Sequence, residues 1–200
     1  MKILASIFLM LIGTCALAQY HSSAFSVGWN TLKPLTEEFT TKTSSAGMRI
    51  GYSKFLNQRF GFGIEGGFNT LDDYIPRQTY EYPGGAVTTD LYYYLYYFTL
   101  MANAQYYFVQ GKHFIPYASL GMGVAFSDYR VYFNVYSESD NQTSFVARPE
   151  IGTLFRVKET ASWGLKSAVS FDFATNKSDQ FEAGNFSGVS FQIGVVLFAD

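Results

Sequence analysis

Apolar side chains recur at every second position through most of this sequence. The clearest run is residues 60–69, in which Phe60, Phe62, Ile64 and Phe68 alternate with glycine or polar residues. Because successive side chains of a strand point to opposite faces, this period of two predicts a β-strand with one apolar face. The pattern predicts eight strands, because it recurs in seven other segments, near residues 25–30, 46–53, 98–108, 119–127, 147–155, 163–173 and 189–197.

The links between these segments alternate in length. Long links lie near residues 33–44, 72–91, 128–144 and 175–186, and short links near 57–59, 110–113 and 158–161. Transmembrane barrels combine short periplasmic turns with longer outer loops. The pattern therefore predicts an all-β fold, an eight-stranded antiparallel up-and-down transmembrane β-barrel. An even number of strands places both termini on the periplasmic side. Alternation also continues through residues 129–136, which predicts that strands five and six project beyond the membrane as a ribbon.

The distribution of charge favours a membrane barrel over a soluble one. Only 15% of the residues are charged, whereas 48% are hydrophobic and 19% are aromatic. The eight apolar stripes contain no Lys, Arg, Asp or Glu, as lipid requires, because a Lys or Arg at mid-bilayer costs about 2–4 kcal/mol. The opposite parity predicts a balanced, structural ionic core inside the barrel, formed by Arg49, Glu65, Arg148, Glu150, Lys166 and Asp172.

The hairpin turns also predict which of these charges meet. The turn between strands six and seven sets a register in which Arg148 lies directly opposite Asp172. The turn between strands two and three places Glu65 opposite Gly51, which leaves Arg49 on the diagonal and within reach of Glu65. Glu150 and Lys166 are expected to complete the core.

One segment has a competing interpretation. Residues 91–111 carry no charge over 21 positions, which is long enough for a membrane-spanning helix. Against a helix, Thr99, Asn103 and Gln105 share one parity while the apolar residues fill the other. Five of the six residues at 92–97 are tyrosines, which favour strands. The prediction is a strand.

The N-terminus has the layout of a secretory signal peptide. A basic start at Lys2 is followed by an apolar run, and Ala16 and Ala18 supply small residues for cleavage. We expect a signal peptide over residues 1–18 and an outer-membrane β-barrel domain over residues 19–200. An alternative is a lipoprotein signal with Cys15 acylated, for which Thr14 is a poor match.

The chain resembles the small eight-stranded outer-membrane barrels of Gram-negative bacteria, the OmpA-like and OmpX-like group. The most specific part is the C-terminal segment, where Gln192 and Gly194 precede outward apolar residues. This segment is similar to the barrel-assembly signal of such proteins, although Leu197 stands where an aromatic residue is usual and Phe198 falls in the other parity. The resemblance implies a monomer in outer-membrane lipid, inserted by the barrel-assembly machinery, with its N- and C-termini on the periplasmic side.

Few residues suggest chemistry. Residues 61–66 match G-x-G-x-x-G, but the dinucleotide motif needs a helix to open there, and these glycines lie in a predicted strand. His21 and His113 are the only histidines, and neither has a clear Ser and carboxylate partner in the sequence. Two histidines give no metal-ligand cluster of the usual spacing, and a net charge of -2 offers nucleic acid no basic surface. We expect no catalytic residues, cofactor, metal or nucleic-acid partner.

Three functional hypotheses remain at this point. The first is a closed barrel that anchors in the outer membrane and displays loops for structural, adhesive or recognition roles. Its tyrosine-rich loop at 72–91 is either a site for an unknown surface ligand or an interfacial aromatic belt. The second is a small diffusion pore, which the filled interior of most eight-stranded barrels argues against. The third is a lipid-modifying enzyme, which needs His21 or His113 beside a Ser and a carboxylate.

Overall fold

The chain folds into eight β-strands. The structure, a computed structural model, describes residues 23–36, 40–109, 113–158, 161–178, 181 and 184–199. The strands are β1 (Ser23–Pro34), β2 (Ala46–Phe55), β3 (Phe60–Tyr82), β4 (Gly85–Tyr107), β5 (Phe114–Phe133), β6 (Tyr136–Arg156), β7 (Trp163–Ala174) and β8 (Phe186–Ala199). The eight predicted strands are confirmed. The predicted signal peptide, residues 1–18, lies outside the described residues.

The strands close into an antiparallel up-and-down barrel. Each strand pairs with its neighbours along the chain, and β1 closes the sheet by pairing with β8 from Ser23 to Pro34. Because β4 covers most of the segment 91–111, the membrane-helix interpretation is wrong. No helix within the described ranges is long and apolar enough to cross a membrane.

The two parities of each strand face opposite sides of the barrel wall. The predicted apolar stripes point outward and stay exposed, as Ile64 does at 60% of its surface. Trp29 and Trp163 mark opposite ends of this outer apolar belt. The other parity points inward, where glycines and small polar residues relieve crowding in the narrow lumen. The predicted assignment of both faces is confirmed.

The two ends of the barrel differ. The loop end carries the links that follow β1, β3, β5 and β7, and the turn end carries the links that follow β2, β4 and β6. The first residue of β1 and the last residue of β8 also lie at the turn end, because Ser23 pairs with Ala199. At the loop end, β3 to β6 continue well past the other four strands.

The predicted long loops 72–91 and 128–144 are therefore mostly strand. Pairing of β3 with β4 continues to Tyr82 opposite Gly85, and pairing of β5 with β6 continues to Phe133 opposite Tyr136. The projecting ribbon predicted for β5 and β6 is confirmed, and a second ribbon stands beside it. The second ribbon, formed by β3 and β4, could not be predicted from the alternation, because the register shifts between Ile75 and Gln78 and interrupts it.

Each ribbon ends in a two-residue turn. Gly84 adopts a φ of 110°, and Asn134 adopts a φ of 53°. Residues with positive φ are mostly glycine, because a Cβ atom clashes with the backbone there, or asparagine, whose short polar side chain can hydrogen-bond to the nearby backbone. The sequence Pro83-Gly84 thus marks the tip of the first ribbon rather than the middle of a loop.

Candidate functional site

The six charged residues predicted for the interior all lie inside the barrel at middle height. Arg49 comes from β2, Glu65 from β3, Arg148 and Glu150 from β6, and Lys166 and Asp172 from β7. All six are buried. Charged side chains from strands on both sides of the lumen therefore meet at one height in the barrel.

The six side chains form a closed ring in which cations and carboxylates alternate, here called the ionic ring. Arg49 Nη1 lies 3.1 Å from Glu150 Oε2, and Lys166 Nζ lies 3.3 Å from Glu150 Oε1. Lys166 Nζ is 3.7 Å from Glu65 Oε2, whose other oxygen accepts from Arg148 Nη1 at 2.8 Å. Arg148 binds Asp172 through two parallel contacts of 2.5 and 2.6 Å. Arg49 Nη2 closes the ring at 3.9 Å from Asp172 Oδ1.

Neutral side chains satisfy further atoms of the ring. The Tyr117 hydroxyl donates to Glu150 Oε1 at 2.7 Å, and Arg49 Nη2 donates to Ser170 Oγ at 2.9 Å. Lys166 Nζ also lies 5.8 Å from the centre of the Tyr117 ring. Buried charges are tolerated when they are paired and their remaining polar atoms are bonded. The ring carries no net charge and every charged group in it is paired, but Arg49 Nε is buried without a hydrogen-bond partner among the described residues.

The structure partly agrees with the predicted pairs. The predicted register of β6 and β7 is confirmed by Ala147 opposite Phe173, and Arg148 contacts Asp172. Glu65 lies opposite Gly51, also as predicted. The expected contact of Arg49 with Glu65 is replaced, because the guanidinium extends across the lumen to Glu150 instead of along the β2–β3 diagonal.

Sequence reasoning missed Tyr117. Its parity is that of Ser119 and Gly121, which line the interior, but the segment predicted near residues 119–127 starts two residues after Tyr117. Extending the alternation through Pro116 would have placed Tyr117 in the interior. A proline is tolerated here because β5 starts only two residues earlier.

An apolar layer lies on each side of the ionic ring. The layer towards the loop end consists of Leu32, Leu71, Leu95, Tyr97, Met101, Ala125, Tyr129, Val146, Ala174 and Phe186. The layer towards the turn end consists of Ala24, Tyr107, Ile115, Tyr117, Leu154, Val196 and Phe198. Two cavities lined by described residues near the ring measure about 20 and 10 Å³, the size of one or two water molecules. An ion moving along the lumen would have to cross both layers and break the ring.

On the outside, aromatic side chains continue beyond the apolar belt onto the two ribbons. Pairing across β3, β4 and β5 sets them in rows that run from strand to strand. The belt ends in a row of phenylalanines, Phe68, Phe98 and Phe126. Three further rows follow towards the ribbon tips, Thr70–Tyr96–Asp128, Asp72–Tyr94–Arg130 and Tyr74–Tyr92–Tyr132. These three rows are called the aromatic wall below.

The rings of the aromatic wall are in mutual contact. Tyr74 and Tyr92 have ring centres 4.7 Å apart, and Tyr94 lies 5.8 Å from Tyr132 in an edge-on arrangement. The rings of Tyr94 and Tyr96 are nearly parallel, with an interplanar angle of 10° at 6.3 Å. Tyr74, Tyr92 and Tyr132 remain exposed over 43%, 43% and 37% of their surfaces. The wall is thus a continuous, accessible aromatic surface.

One ion pair lies within the wall. Arg130 Nη2 contacts Asp128 Oδ2 at 2.5 Å, and its Nε donates to the same carboxylate at 2.9 Å. The hydrogen bonds to Asp128 raise the pKa of Arg130 above its ordinary value. The guanidinium also lies 5.3 Å from the centre of the Tyr96 ring. The single cation of the wall is therefore already neutralised by a neighbour.

Side chains of the other two links brace the ribbons. Lys42 Nζ pairs with Asp73 Oδ1 at 2.9 Å, which joins the β1–β2 link to β3. The Ser178 hydroxyl donates to Asp140 Oδ2 at 2.6 Å, which joins the β7–β8 link to β6. The hydrogen bond from Ser178, together with that from Gln142, lowers the pKa of Asp140 from its ordinary 3.8. Both ribbons are thus held from their outer edges.

The predicted C-terminal assembly signal occupies β8. Gln192 and Gly194 point inward, Leu197 points outward into the belt, and Phe198 points into the turn-end layer. The Arg156 guanidinium carbon lies 4.3 Å from the centre of the Phe198 ring. Phe198 therefore has a packing role inside the barrel, and whether the segment acts as an assembly signal stays a prediction.

Residues 86–194, from β4 into β8, match the model of a protein family of unknown function. The match covers more than half of the 200 residues. The chain belongs to this family. A comparison with curated proteins found no match.

Solved structures share the fold. Neisserial surface protein A is 16% identical with a TM-score of 0.56, over 88% of this chain and 97% of its own. Ail, the attachment invasion locus protein of Yersinia pestis, is 15% identical with a TM-score of 0.53, over 88% and 96%. The outer-membrane protease OmpT of Escherichia coli is 8% identical with a TM-score of 0.52, over 93% and 100%. At these identities the likeness shows the fold alone, that of bacterial outer-membrane β-barrels.

The fold by itself does not decide between an anchor and an enzyme, because one of these barrels is a protease. His113 lies at the turn end, where its Nδ1 is 3.1 Å from the Arg156 carbonyl oxygen. His21 lies outside the described residues. The glycines of residues 61–66 lie within β3, as predicted.

Proposed function

We propose that this protein is an outer-membrane anchor whose closed barrel holds two rigid ribbons above the membrane as a recognition surface. The observation that carries the proposal is the ionic ring between two apolar layers, because a lumen filled in this way does not serve as a diffusion path. The length of the ribbons supports it further, since β3 to β6 continue past the belt as hydrogen-bonded strands. A paired, braced ribbon holds its side chains in place at little entropic cost to a binding partner.

The proposal includes an orientation. The loop end faces the outside and the turn end faces the periplasm, in keeping with the short-turn and long-loop arrangement of outer-membrane barrels. Both termini of the mature chain, residues 19–200, are then periplasmic, and β8 is the strand offered to the barrel-assembly machinery. We propose that the protein acts as a monomer in outer-membrane lipid.

Charge limits what the recognition surface takes. Ail has been crystallised with the heparin analogue sucrose octasulfate, a polyanion. At the loop end of this chain the described cations are Lys33, Lys42, Arg77, Arg130 and Lys177. The described acidic residues there are Asp72, Asp73, Glu81, Asp90, Asp128, Glu138 and Asp140. The excess of carboxylates disfavours a polyanionic ligand.

Two measurements test the proposal. The first is planar-bilayer conductance of the refolded residues 19–200, for which we expect no discrete channels. The second is display on intact cells. An epitope inserted at the β3–β4 tip, next to Gly84, should bind antibody, whereas the matched epitope in the β2–β3 turn, next to Asn57, should bind only after the outer membrane is opened. Stable channels would establish the pore instead, and an epitope reached only beside Asn57 would reverse the orientation.

A further inference from the structure

The outermost part of the aromatic wall stands at a height that ordinary phospholipid does not reach. Its outermost row, Tyr74–Tyr92–Tyr132, is six residues beyond the phenylalanine row on each strand. At about 3.3 Å per residue and a tilt of about 40°, six residues rise about 15 Å along the membrane normal. The head-group layer of a bilayer adds only about 5–7 Å to each side of the hydrocarbon core.

The hydrocarbon region ends at the phenylalanine row. Below it, the outward side chains of β3, β4 and β5 carry no charge as far as the turn end. Immediately above it, Asp128 and Asp72 are the first charged groups on the outward face. The wall therefore begins where the acyl chains stop, and it continues the lipid-facing surface without a break.

The aromatic wall is also more apolar than a surface that contacts only water. Five tyrosine rings on three adjacent strands expose a contiguous aromatic surface on the side that faces the membrane rather than the barrel axis. Tyrosine suits surroundings that are apolar on one side and wet on the other. The C–H faces of a sugar ring are apolar while its hydroxyl groups are polar, so a pyranose ring stacked on this wall satisfies both.

The wall lacks what a phosphate or sulfate would need. Its one cation, Arg130, already makes a two-point contact with Asp128, and Asp72 adds a second carboxylate to the face. Recognition by this face therefore depends on ring stacking and hydroxyl hydrogen bonds rather than on charge.

From its height, continuity and charge we infer that the aromatic wall binds the uncharged sugars of a glycolipid in the same outer leaflet that surrounds the belt. The inference rests on the proposed orientation and names a partner for the ribbons. The sugar head group lies against the tyrosine rows while its acyl chains pack on the belt below Phe98. The glycolipid is thus held at two levels by one continuous surface.

The test uses the refolded barrel in vesicles of phosphatidylcholine that contain a minor fraction of digalactosyldiacylglycerol, whose head group is an uncharged disaccharide. The measured quantity is the glycolipid that stays with each barrel after gentle detergent extraction, relative to phosphatidylcholine, by mass spectrometry. The wall variant is Tyr92→Ser with Tyr94→Ser and Tyr132→Ser. The matched control is Tyr52→Ser with Tyr106→Ser, which removes outward tyrosines from the turn end.

We expect the parent and the control to retain glycolipid preferentially, and the wall variant to retain about tenfold less, which corresponds to about 1.4 kcal/mol. High salt should leave retention unchanged. Equal retention by the parent and the wall variant would overturn the inference, and so would loss of retention in salt, which would indicate ionic binding. Retention of free digalactose as strongly as the lipid would identify a soluble glycan instead. Conductance and epitope display are unaffected by these outcomes, so failure here leaves the proposed anchor intact.

Discussion

Removing one cation from the ionic ring should destabilise the barrel strongly. Arg148→Met deletes the two contacts to Asp172, at 2.5 and 2.6 Å, and the 2.8 Å contact to Glu65. Asp172 is fully buried and would keep only Arg49, at 3.9 Å. Breaking a buried pair in this way costs about 3–5 kcal/mol, which is a large part of the about 5–15 kcal/mol that stabilises a typical domain.

A second substitution distinguishes the stability lost with the ion pair from the stability lost with the packing of the Arg148 side chain. Asp172→Asn with Arg148→Met removes one charge of each sign, so the remaining chain from Arg49 through Glu150 and Lys166 to Glu65 is neutral. We expect the double variant to lose less stability than the two single variants together, by about 0.5–3 kcal/mol. The matched control is Arg59→Met in the exposed β2–β3 turn, which should change stability by about 0.5 kcal/mol or less.

The assay is equilibrium urea unfolding in lipid vesicles, followed by the fluorescence of Trp29 and Trp163. Both indoles lie on the outer face and are 47% and 46% exposed, so their emission reports departure from lipid. If Arg148→Met unfolds at the same urea concentration as the parent, the ring contributes no stability. If the double variant shows strict additivity, Arg148 and Asp172 do not act as a pair.

Four further predictions concern three glycines and one carboxylate. Gly194→Ala should lower the melting temperature and cost about 1–3 kcal/mol by overpacking, because a Cβ there would collide with the Val27 carbonyl oxygen. Gly66→Ala should be tolerated, since the nearest atom is 3.9 Å away. Gly84→Ala, at a φ of 110°, should expose the β3–β4 tip to protease without changing the melting of the barrel. The pKa of Asp140 is lowered in the fold, so its contact with Ser178 stabilises the β7–β8 link above pH 3.8 and is lost as pH falls below that value. Ser178→Ala should raise the titration midpoint of the carboxylate, measured by NMR.

The barrel wall could be predicted because lipid outside and packed side chains inside impose one rule on every spanning residue. Phe60 and Trp163 point outward to lipid and Arg148 points into the interior, as this rule requires. Beyond the belt no acyl chains cover the outer face of a ribbon, so the alternation is weaker, and in β3 the register shift after Ile75 interrupts it. Asp72 and Asp73 then look like loop residues although both lie in β3.

The members of the ionic ring could be found from parity, but their connections could not. Register relates only neighbouring strands, which is why Arg148 and Asp172 were paired correctly. Contacts across the lumen depend on side-chain length and on the height of each strand in the closed barrel. The guanidinium of Arg49 is long enough to reach β6, and the carboxylate of Glu65 is left to Arg148 and Lys166.

The ionic ring also implies an order of assembly. The β6–β7 hairpin contains the Arg148–Asp172 and Lys166–Glu150 pairs and can neutralise itself before the rest of the chain arrives. The β2–β3 hairpin carries Arg49 and Glu65, whose ion pairs are made with β6 and β7, at a sequence separation of 101 residues for Arg49 and Glu150 and 83 residues for Glu65 and Arg148. The β6–β7 hairpin can therefore enter lipid with its own charges paired, whereas the β2–β3 hairpin stays costly to insert until β6 and β7 are in place. We therefore expect a barrel with these ion pairs to assemble from its C-terminal half towards its N-terminal half.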